Sequence, residues 1–241
     1  MEGLNRKTAI SAVIAAILYL VFFIFFDRAI DLWVHNNCSK TWLPQLSDYI
    51  SYLDNGSFVR LGLALCFILI LVCDSGIKKR WAKFLLYICI SRAIAIVISD
   101  GLKYLLGRYR PIMLFENNLY GLHFLSTKWA MNSTPSGHII RAFSILTALS
   151  MLHRRFAGIF ISLAVLIGAS RVIVTAHYPS DVLFGAFIGI FTAIWTYKYF
   201  FILETMNSIN KSPTSIKTPE NELSSQLSSV VISPCQTPHF L

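Results

Sequence analysis

The chain has 241 residues, 55% of them hydrophobic and only 14% charged, with a mean hydropathy of +0.60 and a formal charge of +9. Soluble domains carry roughly 25% charged residues, so this composition excludes an ordinary soluble domain and points to an integral membrane protein with room for one helical bundle. Its apolar runs are continuous rather than alternating, which excludes a membrane β-barrel, and its Lys and Arg residues fall in small groups between those runs, as topology signals rather than a nucleic-acid footprint.

In chain order, Arg6 and Lys7 precede the apolar run TAISAVIAAILYLVFFIFF. That run is long for a signal-peptide core and lacks a small-residue cleavage site before Asp27, so it reads as a retained first span. Further candidate spans lie at 57–73, 84–102, 136–152, 156–176 and 178–202, with the first at 8–26. The expected fold is all-α, a bundle of six transmembrane helices over residues 1–202. Residues 203–241 are Ser/Thr/Pro-rich and lack periodicity, and read as a disordered tail.

Arg6 and Lys7, the group Lys78, Lys79, Arg80 and Lys83, and the group His153, Arg154 and Arg155 all fall on one side of six spans. The positive-inside rule makes that side cytoplasmic, together with both termini. Residues 27–56, residues 103–135 and the corner at 177 then face the other way. Trp33, Trp42, Tyr49, Tyr52, Tyr120 and Trp129 populate the first two loops, as suits a membrane interface. The cysteines imply no disulfide framework: Cys66, Cys73 and Cys89 lie inside apolar runs, and Cys38 and Cys235 lie in different polar regions.

Three polar clusters share the outward side. The first is KYLLGRYRP, where Lys103 and Arg110 stand seven residues apart and project from one face if the helix continues that far. The second is STPSGH at 133–138. Ser136 has the character of a helix N-cap, Gly137 lets a ligand approach the backbone, and the free N–H groups of a helix start suit phosphate. The third is SRVIVTAHYPSD at 170–181. Arg171 ends the fifth span, Pro179 suits the first turn of the sixth, and the four-residue step lets Asp181 reach the ring of His177.

Charged groups in hydrocarbon are costly unless paired or used. Lys103, Arg110, Arg171 and the helix start form a cradle complementary to a phosphoryl group. Within it, His177 oriented by Asp181 can attack phosphorus, and His138 can protonate the departing oxygen and then activate water. A metal site of His138, His177 and Asp181 is the chemical rival, disfavoured because nearby cations would repel a divalent ion.

The motifs K-x6-RP at 103–111, PSGH at 135–138 and SR-x5-H-x3-D at 170–181, in this order and spacing, resemble those of the type 2 phosphatidic acid phosphatase family. That family also includes bacterial acid phosphatases and vanadium haloperoxidases. The likeness covers about residues 5–202. It implies a six-helix membrane phosphatase that needs neither metal ion nor other cofactor. It carries phosphate binding to Lys103, Arg110, Ser136, Gly137 and Arg171, acid catalysis to His138, nucleophilic attack to His177 and orientation to Asp181. The run RPIMLFENNLYGLHF more narrowly resembles bacterial inner-membrane members that act on envelope lipids at the periplasmic face. Lipid A 1-phosphate and undecaprenyl diphosphate are the leading expected substrates, followed by phosphatidylglycerophosphate and phosphatidate. A lipid phosphotransferase and a non-catalytic lipid carrier are the rival classes.

Arg141 lies one helical turn after His138. It is expected either to contact a second anionic group or to pair with Asp100 or Asp181. Arg92, in the third span, reads as part of an internal ion pair. Glu116, His123 and Lys128 are polar candidates in the loop 112–134, which could act as a lid over the head group.

Overall fold

A computed structural model describes residues 2–52, 56–73 and 79–211. Nine α-helices appear among these residues: α1 (Glu2–Val21), α2 (Asp27–Cys38), α3 (Leu43–Tyr52), α4 (Gly56–Cys73), α5 (Arg80–Leu106), α6 (Pro111–Asn117), α7 (Gly137–Leu152), α8 (Ala157–Ile173) and α9 (Pro179–Lys211). The described residues hold no strand, only an isolated bridge between Arg108 and Leu122. The compact unit that carries the motifs runs to Phe201, and residues 212–241 of the expected tail lie outside the described residues.

Four helical segments are long and apolar enough to cross a membrane: Leu4–Cys38, Trp81–Leu106, Arg154–Ile173 and Pro179–Phe201. The second and fourth expected spans fall on α4 and α7, whose apolar stretches include Ala64–Cys73 and Gly137–Leu152. Large apolar side chains such as Val72 (78% exposed) and Val97 (73% exposed) cover the outside of these helices. That surface requires a hydrocarbon surrounding.

The first helix does not stop at 26. A single π-helical stretch, Phe22–Phe26, joins α1 to α2, and the helix continues to Cys38. The expected boundary fails because Asp27 and Asp31 are fully buried rather than solvent-facing flanks. The segment 27–56, expected to be an interfacial loop, is largely helical, with α3 packing on α8.

Helix α7 is the centre of the bundle. Its Ile139, Ala142, Phe143 and Leu146 pack with Ala164 and Ile167 of α8, and Ile140 meets Ala95 of α5 and Ile188 of α9. Two glycines set how closely α9 crosses α7. A Cβ on Gly189 would stand 2.7 Å from the Ile140 carbonyl oxygen, and one on Gly185 would stand 3.1 Å from that of Ser136. Small residues four apart permit this approach of backbones, the usual device where helices associate inside a membrane. It brings the start of α9, with Asp181, against the start of α7. Arg92 is fully buried within α5.

Candidate active site

The first motif straddles a helix end. Helix α5 stops at Leu106 because Gly107 adopts φ +50 and its N–H caps the Lys103 carbonyl. A side chain is impossible there, since a Cβ would lie 1.8 Å from the His123 carbonyl oxygen. The helix therefore does not continue to Arg110, and the expected shared helical face of Lys103 and Arg110 does not exist. The chain turns instead, and residues 107–110 run beside the returning loop: Tyr109 N–H bonds Gly121 at 3.1 Å and Arg110 N–H bonds Ala130 at 2.9 Å. Pro111 then holds Arg110 extended and opens α6 at its first position.

This turn sends two arginines, two residues apart, to different destinations. Arg108 is fully buried. Its guanidinium donates to Asp181 Oδ1 at 2.7 Å, Ser180 Oγ at 2.6 Å, Asp27 Oδ2 at 2.8 Å and the Tyr120 hydroxyl at 3.0 Å. Its Cζ also lies 4.1 Å from the centre of the Tyr178 ring and 4.6 Å from that of Phe23. Burial opposes its charge, yet Asp181, Tyr19 and Asp27 hold its pKa above the ordinary value. Arg110 instead donates to backbone carbonyls, Trp129 at 3.0 Å and Asn132 at 3.4 Å, and lies against the Trp129 ring at 4.3 Å. Burial, then the neighbouring Arg171, push its pKa down to about 10.

The second motif begins α7. Ser136 occupies the N-cap position with an extended backbone, but its side chain makes no cap bond. Its hydroxyl is fully buried and has no hydrogen-bond partner among the described residues. Gly137 faces the basic groups: a Cβ there would lie 2.8 Å from Lys103 Nζ and 3.4 Å from Arg141 Nη1. Arg141 thus stands beside Lys103 across the first turn of α7.

The third motif wraps the C-terminus of α8. The Ala176 and His177 N–H groups both bond the Arg171 carbonyl, with Thr175 at φ +53 making the turn. His177 is buried at 2% exposure, and its Nδ1 lies 2.9 Å from the Ser133 carbonyl. A carbonyl only accepts, so Nδ1 carries the hydrogen and Nε2 keeps its lone pair. Asp181 was expected to fill this role, but its Oδ2 lies 3.9 Å from Nδ1, beyond hydrogen-bonding distance. The carboxylate is occupied elsewhere. It accepts from Ser133 Oγ at 2.6 Å, from Thr134 Oγ1, from Tyr178 N–H at 3.2 Å and from Arg108. Asp181 therefore organises the 133–134 backbone that in turn holds the imidazole.

His177 senses Arg110, Arg171, Lys103 and His138 around it. Burial first, then those groups, put its pKa well below 6.5, so the ring is neutral at pH 7. The structure thus draws the positions expected from all three motifs into one locality. It also adds Arg108, Asp27, Ser180, Ser133 and Thr134, to which no role was assigned from the sequence. Asp27 accepts from Ser180 N–H at 3.0 Å and from its hydroxyl, pinning α9 to the first helix. The available signal was Asp27 itself, an acid closing a long apolar run, together with a second arginine inside KYLLGRYRP.

Known proteins resemble this chain over the region that carries the three motifs. A lipid A 1-phosphatase from Rhizobium johnstonii is 35% identical over 102 residues, 41% of this chain and 42% of that protein. An undecaprenyl-diphosphatase from Sulfolobus acidocaldarius is 35% identical over 114 residues, 47% of this chain and 53% of that one. This chain therefore spans only about half the length of these curated relatives, or less. The crystal structure of Aquifex aeolicus LpxE superposes with a TM-score of 0.50 at 26% identity, covering 72% of this chain and 95% of that one. The PAP2 superfamily model matches residues 84–204, from α5 to α9, and so takes in every one of the three motifs. By that match across half its length, this membrane protein belongs to the PAP2 superfamily.

Proposed function

We propose that the protein is a phosphoric ester hydrolase that removes a phosphate from a membrane lipid through a phosphohistidine. The observation that carries this reading is His177: a buried, neutral imidazole, Nδ1 tied to the Ser133 carbonyl, within the field of Lys103, Arg110 and Arg171. A ring so held presents Nε2 to phosphorus while the cations offset the charge on the phosphoryl oxygens. The Ser136 hydroxyl and the N–H groups at the start of α7 complete the cradle, since a buried donor without a partner is what an incoming phosphate oxygen satisfies.

In the first step the His177 nitrogen bonds phosphorus as the phosphorus–oxygen bond to the lipid breaks, and His138 protonates the departing oxygen. In the second step His138 takes a proton from water, whose oxygen bonds phosphorus while the phosphorus–nitrogen bond breaks. Neither step calls on a metal ion. The names of the relatives support lipid A 1-phosphate and undecaprenyl diphosphate as substrates. The distribution of Lys and Arg supports a site on the periplasmic face of a bacterial inner membrane, with both termini cytoplasmic. Arg141, beside Lys103, would contact a second anionic group.

The purified protein in detergent should release inorganic phosphate from such lipids, be inhibited by vanadate and retain activity in chelator. His177→Ala should abolish release. Phosphate transfer seen only with an acceptor lipid would replace hydrolysis with phosphotransfer, and full activity of His177→Ala would remove the mechanism.

A further inference from the structure

Beside the cradle lies a cavity of about 560 Å³, whose lining includes Arg110, Arg171, His35, Phe115, Glu116 and Trp129. This is far more room than one phosphate needs and falls within the range of small-molecule sites. Arg110 and Arg171 belong to both cradle and cavity, so a group attached to a phosphate in the cradle extends into this space. Its walls are anchored. Helix α6 starts directly after Arg110, the Phe115 ring stacks on His35 of α2 with centroids 4.1 Å apart, and Arg28 bonds the Asn118 side chain at 3.1 Å.

Among the described residues Glu116 is the only carboxylate in that lining, while Lys103 and Arg141 are absent from it. With Arg110 and Arg171 engaged on the phosphate in the cradle, a second phosphate placed here would meet the Glu116 carboxylate. Hydroxyl groups would instead donate to it, with His35 and Thr175 as further polar partners and the exposed Trp129 ring as an apolar face.

We propose that this cavity is the head-group subsite and that Glu116 selects a single phosphate ester on a hydroxyl-bearing group, such as a sugar ring, over a diphosphate. The inference rests on the hydrolase reading above. Glu116 is exposed at the cavity rim and lies outside the phosphate cradle, so Glu116→Gln leaves the fold and the chemical step intact.

The test compares full-length wild type, Glu116→Gln and Glu116→Lys in detergent on three substrates: a lipid-linked sugar 1-phosphate, a polyprenyl diphosphate and phosphatidate. Wild type should prefer the sugar phosphate. Glu116→Gln should lower its kcat/KM about two- to fivefold and raise that of the diphosphate by a similar factor, the size expected for one exposed charge. Phosphatidate should be unaffected, and Glu116→Lys should move the ratio further the same way. An unchanged ratio, a uniform change on all three substrates, or a wild-type preference for the diphosphate would overturn the subsite alone. No phosphate release by folded wild type from any of the three would overturn the hydrolase reading and the subsite with it.

Discussion

The two arginines of KYLLGRYRP are treated in opposite ways. Arg108 is shut away from solvent and matched by Asp27 and Asp181 at 2.8 and 2.7 Å. Arg110 pairs with no carboxylate among the described residues and leans on carbonyls and an indole. A buried cation satisfied by acids holds the structure together, because its charge is already neutralised. One placed beside other cations is held at a cost, and an anionic ligand relieves that cost. Spacing alone does not separate the two roles, since the residues are neighbours in one motif.

The largest effect tests the centre of this contrast. His177→Ala should lower phosphate release about a thousandfold or more while leaving the thermal unfolding midpoint in detergent nearly unchanged, as read by phosphate assay and calorimetry.

Next come the two arginines. Arg108→Ala leaves Asp27 and Asp181 buried without their cation, so it should destabilise the protein by about 3–5 kcal/mol. Arg110→Ala should do the reverse, with a largely preserved unfolding midpoint and kcat/KM reduced about a hundredfold. Equal stability losses in the two variants would erase the distinction between the two arginines.

A smaller change sharpens it. Ser136→Ala removes a buried hydroxyl that has no hydrogen-bond partner among the described residues. Stability should hold or rise slightly, because an unsatisfied polar group is lost. Activity should fall about tenfold, less than the hundredfold or more that a lost oxyanion-hole donor costs. A substantial drop in stability would show that the hydroxyl serves the fold.

The smallest effect is the response to pH. His177 titrates well below 6.5 in the folded chain, chiefly through burial, and near 6.5 when unfolded. Below pH 6.5 the unfolded state therefore binds the proton and the folded state does not, so stability is lost as pH falls from there. Above that window this group contributes no slope. Unfolding midpoints recorded across pH 5–8 should decline on the acid side, and less steeply in His177→Gln.

Much of this was legible in the chain itself. The long apolar runs specify helices in lipid, and three short motifs identify the family. Local chemistry also placed particular landmarks: Pro111 opening α6, Ser136 at the start of α7 and Pro179 at the start of α9. Boundaries were less legible. The first helix overran its expected end because Asp27 finds a partner at Arg108, 81 residues away, and an acid with a buried cation need not leave the bilayer.

By itself, then, the sequence determined the helical class, the membrane setting, the family and the residues that gather around His177. Each of these depends on hydrophobicity or on spacings of a few residues, which act within one turn or one span. Tertiary structure alone decided which arginine serves the fold, that the Ser133 carbonyl rather than Asp181 holds the His177 ring, and that Asp27 anchors α9. Those pairings join groups 44 to 153 residues apart. They exist only because Gly185 and Gly189 let α9 close onto α7, so that buried donors and acceptors from distant helices meet and satisfy one another.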